Sequence, residues 1–150
     1  MRMSSLEEYG LRCLVRVARL DGPEPVSLTT IAEQEGISTE YAAKILRVLR
    51  EAGLVSSTRG AAGGYQLARP AQEIGVLEVL AALDGPLLPE DWCGRHTGKL
   101  DACVHGSNCA IDALWRHVGH TVTLALSPIT LADMCTGRLH LLNLVNARAV

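Results

Sequence analysis

The sequence predicts a mainly α-helical chain with one small β-hairpin after its third helix. Three observations carry this. Apolar residues recur at helical spacing in most segments between turn formers. Only the stretch from Leu54 to Ala68 reads as two short strands about a glycine-rich turn. Aromatic residues are 3% of the chain and Phe is absent, so the 48% hydrophobic content must pack as an aliphatic core of Leu, Val, Ile and Ala, which suits helices.

The elements follow in order. Ser4 or Ser5 can cap a first helix to about Leu20, with Leu6, Tyr9, Cys13, Leu14 and Val17 on one face and Glu8, Arg12, Arg16 and Arg19 on another. Asp21-Gly22-Pro23 ends it, and Pro25 keeps the next residues extended. Ser27 caps a short helix, Leu28 to Glu35, and Gly36 turns the chain. Ser38 caps a third helix, Thr39 to Ala52, with Ala42, Ile45, Leu46 and Leu49 inward and Gly53 at the left-handed position past its end. Leu54–Thr58 and Tyr65–Ala68 are the strands. A fourth helix runs from about Val76 to Leu83, with Leu77, Leu80 and Leu83 inward. Ala110 to Leu126 is the longest helix, with Ile111, Leu114, Val118, Val122 and Ala125 as its apolar stripe. Thr130 caps a last short helix, Leu131 to Cys135, before a tail from His140 to Val150.

Two helices joined through a glycine turn, the second bearing cations, form a helix-turn-helix pattern. The alternative for that segment alone is a helical hairpin with a solvated charged face. The hairpin that follows weighs against it, because a β-hairpin directly after a helix-turn-helix is a wing. The expected fold is therefore a winged helix-turn-helix over 1–84, a cysteine-rich loop over 85–109, and a dimerisation helix with a C-terminal tail over 110–150. Net charge is −2, but Lys44, Arg47, Arg50, Arg59 and Arg69 face only Glu40 and Glu51 within 38–69. The basic charge thus sits in the segment expected to meet DNA. Ser38, Thr39, Tyr41 and Lys44 stand where a recognition helix meets base edges, Arg47 or Arg50 suits phosphate, and Arg59 at the wing tip suits a narrow minor groove.

The stretch Trp92–Cys109 holds three of the five cysteines, spaced C-x9-C-x5-C, among Gly94, Gly98, Gly106, Asp101 and Asn108. It has too few apolar residues for a packed element. No signal peptide or membrane span is visible, so a cytoplasmic protein is expected, in which cysteines read as metal, cluster or redox ligands before disulfides. Three free thiols or a zinc site remain the alternative. Cys13 and Cys135 read as packed small residues, and His117, His120 and His140 as surface residues. No Ser/His/Asp set or paired-carboxylate site appears, which argues against an enzyme. The glycines of 60–64 are no phosphate cradle, since neither a Lys-Ser/Thr pair nor a helix follows them.

The segments MRMSSLEEYGLRCL, SLTTIAEQEGISTEYAAKILRVLREAGLVSSTRGAAGGYQLARP, the three-cysteine loop, CAIDALW and SPITLADM resemble the winged-helix iron–sulfur transcriptional regulators of the IscR, NsrR and RirA type, from Met1 to about Gly137. The resemblance implies a homodimer that binds a double-stranded operator, more often as a repressor, and senses nitric oxide, redox or iron and cluster status. It implies an iron–sulfur cluster, 2Fe-2S or 4Fe-4S, on Cys93, Cys103 and Cys109, although the first cysteine interval is longer than the family's. For the fourth ligand it points first to Glu8, reaching across the dimer, the other reading of Glu8 being an i,i+4 surface pair with Arg12. Asp112 comes second, where cluster-biogenesis regulators carry a His. His96 or His105 comes third. A winged-helix repressor with a zinc or thiol-redox loop, and a small iron–sulfur electron carrier, are the rival readings.

Overall fold

The structure, a computed structural model, describes residues 3–20, 22, 24–60, 62–86, 99–100, 104–105 and 109–137. Helix α1 spans Ser5–Arg19. Its start is fixed by a capping box: Ser4 Oγ accepts from the Glu7 N–H at 3.1 Å, and the Glu7 carboxylate accepts from the Ser4 N–H at 2.6 Å. This reciprocal pairing explains how Glu7, a carboxylate that the apolar pattern does not mark, comes to be buried. Leu11, Cys13, Leu14 and Val17 form the buried face.

Helices α2, Leu28–Glu35, and α3, Thr39–Glu51, are capped by Ser27 and Ser38 as the sequence predicts. Between them Gly36 takes φ 67°, a left-handed conformation that disfavours side chains and turns α2 sharply into α3. Strands β1, Val55–Thr58, and β2, Gly64–Leu67, pair antiparallel, with Val55 facing Leu67 and Thr58 facing Gly64. The strands differ by one residue from the sequence expectation: β1 begins after Leu54 and ends at Thr58 as expected, while β2 is shifted to open at Gly64 in place of Tyr65. The cause is tertiary. Val26 and Tyr65 exchange backbone hydrogen bonds of 2.9 and 2.8 Å, so the segment before α2 adds a third rung and holds β2 in register.

A 3-10 turn, Ala71–Glu73, which the sequence does not signal, leads into α4, Val76–Asp84. Here Val76, Val79, Leu80 and Leu83 are buried, while Leu77, expected inward, is only half-buried. The face of α4 is turned by its close approach to α1, where a Cβ on Gly10 would lie 2.4 Å from Leu83 Cδ2.

Helix α5, Ala110–Leu126, matches its expected bounds but buries none of its residues, and Ile111, Leu114 and Leu124 are 58, 55 and 58% exposed. Helix α6, Leu131–Thr136, starts in a capping box of Thr130 and Asp133. It returns to the N-terminal helices: the Val76 N–H donates to the Ile129 carbonyl at 3.0 Å and the Leu131 N–H to the Ile74 carbonyl at 2.8 Å. Leu131 thereby joins an aliphatic core with Leu14, Ile31, Ile45, Leu46, Leu49 and Leu54. Among the described residues no helix is long and apolar enough to cross a membrane.

Candidate nucleic-acid interface and thiol site

The first turn of α3 presents Ser38 and Thr39 to solvent. Ser38 also works as the N-cap, its Oγ accepting from the Tyr41 N–H at 3.2 Å. Lys44 is exposed one turn on, and Arg47 lies 3.3 Å from Glu51 across one turn of α3. That is an exposed pair of the kind worth little, which a phosphate can replace. Arg50 donates to Ser57 Oγ at 3.5 Å, which ties α3 to the hairpin. Arg59 is exposed at the hairpin tip, next to a turn closed by the Gly63 N–H donating to the Gly60 carbonyl at 2.9 Å. Arg69 is different. It donates to the Glu73 carbonyl at 3.0 Å and pairs with Glu78, so it fastens the chain after the wing rather than facing outward.

Tyr41 is half-buried and meets Tyr9 of α1 edge to face, with ring centroids 5.9 Å apart at 76°. Its ring therefore packs α3 on α1 as well as bordering the outer face.

Between α1 and the end of α2 lies an ion cluster that sequence reading missed. The carboxylate of Glu35 is 6% exposed and accepts from Arg12 Nε at 2.9 Å and from Arg16 Nε at 2.7 Å. Arg12 also donates to the Glu35 carbonyl at 3.2 Å. The hydrogen bond to Glu35 holds the Arg12 guanidinium above its already high usual range. The cluster opens on a cleft of about 260 Å³ that reaches Arg19 and Met134.

Of the candidate ligands, Glu8 is exposed on the first turn of α1, 3.7 Å from Arg12. Asp112 is largely covered and accepts from Arg116 Nε at 2.7 Å. Cys109 is half-buried and immediately precedes α5, at the positive end of that helix dipole. His105 is exposed. Cys93, Cys103 and His96 lie outside the described residues, as do His140 and the tail. Among the described residues no three His, Cys, Asp or Glu side chains converge as a metal site. Burial pushes the Cys13 thiol up to about 12 and raises that of Cys135 as well, as expected of packed cysteines.

The model of one family, described as Rrf2, iron-dependent transcriptional regulator, matches residues 3–137. The chain belongs to the Rrf2 family of transcriptional regulators. It is 36% identical over 134 residues to the protein rrf2 of Nitratidesulfovibrio vulgaris, covering 89% of this chain and 87% of that one. It is 37% identical over 134 residues to the regulator IscR of Photorhabdus laumondii, covering 89% and 79%. Among solved structures it is similar to CymR, the global cysteine regulator of B. subtilis, with TM-score 0.74, 29% identity and 91% and 97% coverage. It is also similar to IscR of T. potens, with TM-score 0.71, 34% identity and 92% and 88% coverage. The Rrf2 relatives are transcription regulators rather than enzymes. As an Rrf2 protein the chain is a DNA-binding regulator, and α2, α3 and the hairpin are its winged helix.

Proposed function

We propose that the chain is a homodimeric, iron–sulfur-dependent transcriptional regulator, a repressor in sense, whose cluster is held by Cys93, Cys103, Cys109 and Glu8. The observation that carries the reading is the division among its cysteines. Burial keeps Cys13 and Cys135 as thiols, and a metal needs thiolates. The other three cysteines lie within one short stretch of sequence, Cys93 to Cys109, and the last precedes α5, where the helix dipole favours a negative ligand.

The donor set fits such a group: three soft sulfurs are local, and a hard carboxylate completes four. Glu8 suits the fourth position better than Asp112, because its described ion pair is long, at 3.7 Å, while that of Asp112 is short, at 2.7 Å. When bound, the cluster supplies an iron centre that answers to nitric oxide, oxygen or electron transfer. The exposed Ile111, Leu114 and Leu124 of α5 support a second copy as partner. On DNA, Ser38, Thr39, Tyr41 and Lys44 would meet base edges, Arg47 or Arg50 phosphate, and Arg59 the minor groove.

Visible absorption of anaerobically purified protein tests the cofactor. Iron–sulfide charge-transfer bands that change in Glu8→Ala support the full ligand set. Bands unaltered by that substitution remove Glu8, and a bound metal without bands replaces the cluster by zinc.

A further inference from the structure

Arg12 touches four groups at once. Nη1 stands 3.7 Å from Glu8 Oε1, Nε donates to Glu35 Oε2 at 2.9 Å, and Nη2 donates to the Glu35 carbonyl at 3.2 Å. Its guanidinium carbon lies 4.9 Å from the centroid of the Tyr9 ring. Tyr9 in turn meets Tyr41 on the first turn of α3.

Glu35 is the last residue of α2, where the helix dipole disfavours a carboxylate, and the last turn of α2 carries no basic residue of its own. Arg12 and Arg16 of α1 supply the missing positive charge. Through Nη2, Arg12 also satisfies a carbonyl at the helix end, so it caps α2 from another helix. Gly36 and Ile37 then lead straight to Ser38, the N-cap of α3. Where Arg12 stands therefore bears on both ends of the helix-turn-helix, through Glu35 at the turn and through Tyr9 and Tyr41 at the first turn of α3.

We infer that Arg12 is a positioning residue that couples Glu8 to the recognition helix. A guanidinium shared by two carboxylates divides its attraction between them. When Glu8 is drawn to another partner, the attraction of Arg12 is given over to Glu35, and the restraint on the α2–α3 turn changes. The coupling rests on the reading that Glu8 is a cluster ligand; the positioning of α3 by Arg12 and Glu35 does not.

Arg12→Lys keeps the charge but loses the fork, and Glu35→Gln is isosteric. Each is titrated by fluorescence anisotropy on a duplex enriched from a random pool by the wild-type protein and on a scrambled duplex of equal length, with and without cluster. In cluster-free protein both variants should weaken binding to the enriched duplex about tenfold and change binding to the scrambled one less than about twofold, since phosphate attraction needs charge rather than orientation. Arg12→Lys should also bring the loaded-to-free affinity ratio to within about twofold of unity while the visible spectrum stays unchanged. An unaltered preference for the enriched duplex, or equal losses on both duplexes, overturns the positioning role. An unaltered loaded-to-free ratio overturns the coupling. Absence of visible bands in the wild type removes the cluster reading and the coupling together, while the cluster-free titrations still decide the positioning.

Discussion

Burial, reinforced by the charge of Glu35, pushes the Cys13 thiol up to about 12, and the side chain is 0% exposed. The residue should stay protonated and out of reach. Iodoacetamide near neutral pH should leave Cys13 unlabelled in the native protein and label it in urea; native labelling at the rate of an exposed thiol would contradict this. Its folded value lies above the ordinary 9.0. The stability gained by keeping it neutral is therefore complete below pH 9.0 and is lost progressively as pH rises toward about 12. At this scale the caps were legible: Ser27, Ser38 and Thr130 act where the sequence places them, because a cap is a local rule. Glu35 was not legible. Its partners lie 23 and 19 residues away, and no local pattern announces a carboxylate clamped by another helix.

At the scale of elements, α3 and the hairpin act as one unit, because Arg50 reaches Ser57 and Val26 pins Tyr65. The wing is thus held at a fixed place beside α3, with Arg59 at its tip. Arg59→Ala should weaken operator binding about tenfold and reduce the preference for A·T-flanked sites, without lowering thermal stability. Equal operator affinity in anisotropy titrations would remove Arg59 from the groove. The bounds of α2 and α5 were readable from apolar period and punctuation together. The shift of β2 by one residue and the partial burial of Leu77 were not, since both depend on neighbours distant in sequence, Val26 for the strand and α1 for α4. Arg69 carries the same lesson for charge: it counts toward the basic segment in sequence, yet it is bound to Glu78 and Glu73.

At the scale of the whole molecule, the winged helix is complete within the described residues, while α5 carries Ile111, Leu114 and Leu124 exposed. In the proposed homodimer a second copy would cover them, and the two-fold axis would set the spacing of two recognition helices. Leu114→Glu should convert a dimer to a monomer in sedimentation equilibrium and weaken binding to a two-half-site operator more than to a single half-site; a dimer that survives would mean that α5 is not the interface. The fold class was legible because helix period, one glycine turn and one hairpin agree. The cysteines proposed to hold a cluster stand out in the sequence only as a set of residue types, and the proposed fourth ligand, Glu8, would come from a partner, which no single-chain pattern contains. In the proposed function, cluster state governs DNA reading. Anisotropy of a labelled operator with the anaerobic, cluster-loaded protein and with the same protein after iron removal tests it most directly. The dissociation constants should differ by at least about fivefold. Identical constants, with loading verified by visible absorption, would contradict it.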